Sequence, residues 1–108
     1  MKTHTPRVTA GFAAAIGGLA LIGGSGCGGV LYAVDVSDAE SKLETARALG
    51  AEKYAPYEYF YAREHLQKAM EDAASADYGD AIDYARDAEK HADKAIVLAK
   101  QAHEGGGR

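Results

Sequence analysis

The sequence predicts an all-α protein: a small three-helix bundle in which an antiparallel helical hairpin follows a short helix and an N-terminal signal helix. Apolar residues recur at alternating steps of three and four from Tyr59 to Ala76 and again from Ala81 to Ala102, as on one face of a helix. The turn-forming residues Asp77-Tyr78-Gly79-Asp80 separate the two runs, and so short a connection makes neighbouring helices antiparallel. The length of 108 residues allows one such domain.

Residues 1–26 have the pattern of an export signal. Lys2 and Arg7 precede an uncharged stretch that extends from Val8 to Val34, and its first part, VTAGFAAAIGGLALI, is apolar. Small residues then lead into Cys27, the one cysteine of the chain. A positive start, a short apolar segment and small residues at the cleavage point are typical of a secretory signal peptide.

Here the chain resembles bacterial lipoprotein precursors, whose lipobox is an aliphatic residue, two small residues and the lipidated cysteine. Ser25, Gly26 and Cys27 match its last three positions, whereas Gly24 stands where leucine is usual. The resemblance implies that fatty acyl chains such as palmitate are attached to Cys27, and that the membrane is a partner. Gly28 after the cysteine, rather than aspartate, implies the outer membrane, with the protein facing the periplasm.

Two other interpretations of the N-terminus remain open. The uncharged stretch is long enough to form an uncleaved transmembrane anchor, which would make the chain an inner-membrane protein with a periplasmic hairpin. The segment is also compatible with an ordinary cleaved signal or a buried helix. If Cys27 becomes the first residue, removal of Lys2 and Arg7 leaves 10 of the 12 basic residues against 16 acidic ones, a net charge of −6. Such a charge is not attracted to anionic headgroups and excludes a nucleic-acid-binding module.

The first predicted helix follows a tether at residues 27–36 and opens the helical domain at residues 37–103. Ser37 and Glu40 have the spacing of a capping box, in which each side chain bonds the backbone amide of the other residue. Gly50 stands where a helix commonly ends in the left-handed conformation. The sequence therefore predicts a helix over Asp38–Leu49.

The second and third helices are predicted over Pro56–Ala76 and Asp80–His103, before a disordered tail at residues 104–108. Pro56 suits the first position of a helix because its missing amide has no partner there. The third helix carries only alanine on its packing seam. Such a seam brings two helix axes close together but buries little area, so we expect a partner protein or self-association to add stability. The principal seam residues are Ala81, Ala85, Ala88, Ala92, Ala95 and Ala99.

Five of the nine aromatic residues fall within eight positions at the start of the second helix. Side chains at consecutive helix positions point in different directions, so they cannot all face the core. They form either a patch that contacts a partner or a plug that closes the end of the bundle. These partner-contact candidates are Tyr54, Tyr57, Tyr59, Phe60 and Tyr61.

His65 and His91 raise the question of a metal site. A turn centred near Tyr78 would place them at one level of the hairpin. Neither occupies a seam position, however, and no set of ligands at helical spacing completes a four-ligand site, so we predict no metal site. No nucleophile motif, phosphate-binding loop or metalloprotease motif is present, so neither an enzyme, a cofactor nor a small-molecule substrate is predicted. A ligand or metal carrier remains a second alternative.

The stretch from Tyr54 to Ala102 resembles a helical domain of unknown function found in small alanine-rich bacterial envelope lipoproteins. The hairpin also looks like a single tetratricopeptide unit. The resemblance implies no known activity, so the predicted function is a structural or protein-interaction module of the cell envelope. The matching residues are Ala55-Pro56, Ala62, Leu66, Ala69, Asp77-Tyr78, Ala81, Ala85, Ala88 and Ala92.

Overall fold

The computed structural model describes residues 26–106, and these residues are almost entirely helical. The prediction of an all-α fold with a C-terminal hairpin is confirmed. The predicted signal helix lies outside the described residues, apart from its last position. Within residues 26–106 the helices are α1 (Gly26–Ala48), α2 (Ala51–Tyr54), α3 (Pro56–Ala74) and α4 (Tyr78–Gly106).

The three long helices form an up-down-up bundle in which α4 packs along both α1 and α3. Glu58, near the start of α3, contacts His91 near the middle of α4, whereas His65, later in α3, packs against Tyr84, earlier in α4, so these two helices are antiparallel. In contrast, Asp35 of α1 pairs with Arg86 near the start of α4. The end of α1 lies beside the end of α4, and α1 and α4 are therefore parallel.

The core of the bundle consists mainly of alanine. The six seam residues of α4, Ala81, Ala85, Ala88, Ala92, Ala95 and Ala99, have no exposed area. Leu43 of α1 and Tyr59 and Leu66 of α3 supply the larger buried groups opposite them. Small residues facing larger ones allow the axes to come close while the interface stays filled.

The segment expected to be a tether, residues 27–36, is helical instead. Helix α1 begins at Gly26, and the predicted capping-box residues Ser37 and Glu40 lie in its interior. The reason is packing against α4. A Cβ atom on Gly28 would lie 3.3 Å from the Cβ of Tyr78, so only a glycine lets the two helices come this close without adjustment. Tertiary contacts thus override the poor helix propensity of a glycine-rich start.

The end of α1 matches the expectation for Gly50, which has a φ of 80° in the left-handed region. The short helix α2 follows at once, and it was not predicted. The chain then enters α3 at Pro56, as expected.

The turn between α3 and α4 is closed by Ala76, which has a φ of 62°, rather than by Gly79, which lies inside α4. The amide of Asp77 donates to the carbonyl of Asp72 at 2.9 Å, and the amide of Ala76 donates to the carbonyl of Ala73 at 2.9 Å. These two bonds define a Schellman motif. Helix α3 therefore ends two residues earlier than predicted, and α4 begins two residues earlier.

The end of α4 also differs from the prediction, because residues 104–106 of the expected disordered tail are helical. Contacts of His103 stabilise the last turns of α4 as helix. Its Nε2 donates to the carbonyl of Leu49 at 2.7 Å, and its ring packs edge-on against Tyr54 with centroids 4.9 Å apart. These contacts fasten the last turns of α4 to the α1–α2 corner.

Candidate functional site

Glu58 is the one buried charged residue in the described part of the chain, with 7% of its surface exposed. It lies in the first turn of α3, where the helix dipole favours negative charge. The Nδ1–H group of His91 donates to Oε2 of Glu58. The Nζ of Lys94 lies 3.2 Å from Oε1. Both carboxylate oxygens are therefore paired with donors from one face of α4.

The surroundings of Glu58 act on its pKa in two directions. Burial raises the pKa, since it disfavours the charged carboxylate. The hydrogen bonds from His91 and Lys94, together with their charges, lower it and outweigh burial. The net result is a pKa below the usual value for glutamate, so Glu58 is ionised at neutral pH.

Beside this carboxylate, two imidazole rings pack against Tyr61: His65 is stacked on it and His91 is tilted. The centroids of the His65 and His91 rings each lie 3.9 Å from the centroid of the Tyr61 ring. Tyr61 therefore contacts one imidazole from its own helix and one from α4. The His65 Nδ1–H group donates to the carbonyl of Tyr61 at 3.0 Å, and Tyr84 of α4 packs against His65 at 5.5 Å. We call Glu58, Tyr61, His65, Tyr84, His91 and Lys94 the Glu58 cluster.

The expectation that His65 and His91 face each other at one level is wrong. His91 lies opposite Glu58 and Tyr61, whereas His65 lies opposite Tyr84. The turn is centred near Ser75 instead of Tyr78, which shifts the pairing of the two helices. Both imidazoles then pack against the Tyr61 ring, and the Nδ1 atom of each is already engaged, by the Tyr61 carbonyl for His65 and by Glu58 for His91. Within residues 26–106, no three His, Cys, Asp or Glu side chains are grouped to hold a metal.

The aromatic residues at the start of α3 divide between the core and the surface. Tyr59 is buried in the hydrophobic core, as a plug would be. Tyr57 is 70% exposed and Phe60 is 40% exposed, and both lie on the outer side of α3. Together with Pro56, Tyr61 and Glu64 they line an open cavity of about 370 Å³. We call Tyr57, Phe60 and Tyr61 the outer aromatic face.

The other aromatic candidate, Tyr54, is 40% exposed and lies in α2 against His103, away from the outer aromatic face. The lipidation candidate, Cys27, is exposed in the first turn of α1. Among residues 26–106, no helix combines the length with the hydropathy of a membrane-spanning segment.

Sequence reasoning missed the role of Glu58. Its charge was explained by its position in the first turn of a helix, which is a sufficient reason for a glutamate there. The signal that could have revealed it is the spacing of His91 and Lys94, which are one turn apart on α4 and both donors. This spacing identifies Glu58 as the partner only when the turn is centred at Ser75, because the centre of the turn fixes which residues of α3 and α4 lie opposite each other.

A comparison with protein-family models assigns the chain to a family. A family model described as a domain of unknown function, DUF4398, matches residues 34–104, which is more than half of the chain. The chain belongs to this family. No curated protein and no solved structure matches the sequence.

The DUF4398 match includes the whole Glu58 cluster and the outer aromatic face, and it begins at Val34 in the middle of α1. Cys27 and the first two turns of α1 precede it. The family confirms the expected helical domain of unknown function, and its description assigns no activity to these residues.

Proposed function

We propose that this DUF4398 protein is an outer-membrane lipoprotein that faces the periplasm and serves as a structural or protein-interaction module of the cell envelope. Acyl chains on Cys27 attach it to the membrane, and the helical bundle presents the outer aromatic face to an envelope protein or to a second copy. The role is binding, without catalysis or a bound cofactor.

The observation that carries this proposal is the context of Cys27. The uncharged run from Val8 leads through Ser25 and Gly26 into the cysteine, in the order of a lipobox. The same cysteine is exposed at the start of α1, where a modifying enzyme and a bilayer can reach it. Attachment by acyl chains suits an acidic surface, because more than one chain anchors a protein without help from basic residues.

Labelled palmitate and mass spectrometry test the anchor. We expect the wild-type chain to incorporate label and to begin at a modified Cys27, and the Cys27→Ala variant to incorporate none. The Ser41→Ala variant, which changes an exposed polar residue of α1, is the control and should be labelled like wild type. An unlabelled wild-type chain with an intact Met1 would contradict the lipoprotein and favour the uncleaved inner-membrane anchor.

Separation of the two membranes on a density gradient tests the location. The proposal places the acylated protein with outer-membrane markers. Its recovery with inner-membrane markers would contradict the outer-membrane assignment while leaving acylation intact, because the two are measured separately.

The interaction role is supported by the outer aromatic face. Tyrosine offers a large contact area and a hydroxyl group at a low cost in side-chain entropy, and it is enriched in interfaces. Tyr57 and Phe60 are far more exposed than Tyr59 on the same helix. The shallow cavity beside Glu64 would receive an apolar or positively charged side chain.

Site-specific photocrosslinking in intact cells tests this surface. A photoreactive phenylalanine at Tyr57 should yield one discrete crosslinked species, which mass spectrometry identifies as an envelope protein or a dimer. The same group at Gln101, an exposed position of α4, is the control. Equal, diffuse crosslinking from both positions would contradict a specific interface on α3.

A further inference from the structure

The first two turns of α1 carry an exposed apolar stripe. Val30, Leu31 and Val34 are 63%, 51% and 53% exposed, respectively. Cys27, Val30, Leu31 and Val34 are spaced as i, i+3, i+4 and i+7, which places their side chains on one face of the helix. Cys27 is exposed as well. We call these four residues the N-terminal stripe.

The opposite side of these two turns faces the bundle and fixes the orientation of the stripe. Gly28 lies against Tyr78, and the ring of Tyr32 lies 6.0 Å from the ring of Tyr78. One turn later, Asp35 accepts a hydrogen bond from Arg86 at 3.0 Å. Since α4 holds this side, the N-terminal stripe points away from the protein.

The stripe also has a sharp boundary. The positions that continue the same face beyond Val34 are Asp38, Ser41 and Thr45, which are polar and exposed. From Cys27 to Val34 the axis rises about 10 Å at 1.5 Å per residue. Amphipathic helices lie in the plane of the membrane surface and bury their apolar face by roughly 5–10 Å at the boundary between headgroups and acyl chains. The N-terminal stripe is a lateral face of α1 two turns long, so it can enter this boundary when α1 lies along the membrane surface.

We propose that the N-terminal stripe inserts into the membrane interface and forms a second attachment beside the acyl chains. This inference rests on the proposed acylation of Cys27. The sulfur that would carry the acyl chains lies on the same face as the three apolar side chains, so the acyl chains bring this face to the bilayer. No charged residue lies between Val8 and Val34, and the first charge, Asp35, is turned towards Arg86. The stripe thus suits the apolar boundary of a zwitterionic lipid surface.

A single tryptophan reports this insertion, because the chain contains none. The Val34→Trp variant of the full chain is expressed in a bacterium, purified from membranes and reconstituted into phosphatidylcholine vesicles with or without brominated acyl chains. Val97→Trp is the matched control, since Val97 is 52% exposed and lies in the second half of α4, far from the stripe. Leu31→Trp repeats the measurement, and circular dichroism checks that each variant is helical.

In the vesicles we expect the tryptophan emission of the Val34→Trp variant to shift to shorter wavelength and to lose intensity with brominated lipid, whereas the emission of the Val97→Trp variant does neither. Unshifted and unquenched emission from acylated Val34→Trp protein would overturn the inference and leave the lipoprotein standing. Emission that shifts without quenching would overturn it in favour of a second protein copy on the stripe. Mass spectrometry of the same sample reports acylation separately, and an unmodified Cys27 would overturn the proposed anchor itself.

Discussion

The Nζ of Lys94 lies 3.2 Å from Oε1 of Glu58, and His91, one turn earlier on α4, donates to the other oxygen of the same carboxylate. The start of α3 is thereby joined to the middle of α4 by a carboxylate on Glu58, which is 7% exposed. A buried carboxylate is tolerated when both of its oxygens are paired. The Glu58 cluster thus holds the hairpin in one register, which the uniform alanine seam cannot do alone.

Replacing Glu58 with glutamine should lower the free energy of unfolding by about 1–3 kcal/mol at neutral pH, because the buried donors lose a charged acceptor. Urea unfolding followed by circular dichroism measures the change. Glu64→Gln, an exposed change on the same helix, is the control and should have little effect. Equal losses in both variants would mean that the pairing with α4 contributes nothing specific.

The effect of Glu58→Gln should depend on pH in a defined direction. The pKa of Glu58 is lowered in the folded protein, so its contribution is complete above the unfolded pKa and is lost as the pH falls through the folded pKa. The difference in free energy of unfolding between wild type and Glu58→Gln should therefore shrink below about pH 4, near the ordinary glutamate pKa. A difference that grows in acid would contradict the lowered pKa.

Enlarging the alanine seam should destabilise the bundle. Ala88→Leu and Ala92→Leu each place a large side chain where no area is exposed, and overpacking of this kind costs about 1–3 kcal/mol. Thermal melts measure the loss. The control is Ala48→Leu on α1, where the alanine is exposed and leucine adds no clash. Unchanged melts for both seam variants would show that the face has room for larger groups.

Ala76→Gly should stabilise the protein by about 1 kcal/mol, because alanine at a φ of 62° is strained and glycine is not. Ala33→Gly is the control and should lower the free energy of unfolding. Ala33 is solvent-exposed within helix α1, where glycine weakens the helix. Chemical denaturation of both variants checks the pair. A loss of stability in Ala76→Gly would mean that the turn does not need the left-handed conformation.

We expect wild type and the His65→Ala variant to give the same calorimetric titration with zinc, because the two histidines do not form a shared zinc site. The Nδ1 atoms of the two imidazoles are engaged by the Tyr61 carbonyl and by Glu58, and both rings pack against Tyr61 with centroids 3.9 Å apart, so a shared ion would have to break these contacts. His91→Ala is the parallel variant and should also leave the titration unchanged. Micromolar binding lost in both variants would support the metal carrier instead.

The alternating steps of three and four were enough to predict the hairpin, because apolar periodicity depends on local geometry alone. The same reasoning failed at the start of α1. Glycines at 26, 28 and 29 have low helix propensity, and the contact of Gly28 with Tyr78 that makes them helical joins residues 50 positions apart. A distant contact of this kind leaves no local pattern.

The Glu58 cluster was missed for a related reason. Gly79 is the obvious residue for a turn, yet the chain uses Ala76, with Asp77 closing the Schellman motif. An error of a few residues at the turn changes every pairing along an antiparallel hairpin. The error in the position of the turn placed His65 opposite His91, so the contact between Glu58 and Lys94 was not predicted.

The parallel arrangement of α1 and α4 has a consequence for the orientation of the bundle on a membrane. Both helices begin at the end of the bundle that carries Cys27, and the 29 residues of α4 rise about 43 Å away from it. With the N-terminal stripe of α1 in the membrane interface, α4 would lie on the far side of α1 from the lipid and run parallel to the bilayer. A reporter domain fused after Gly106 would then sit about 43 Å along the surface from Cys27, and not above it.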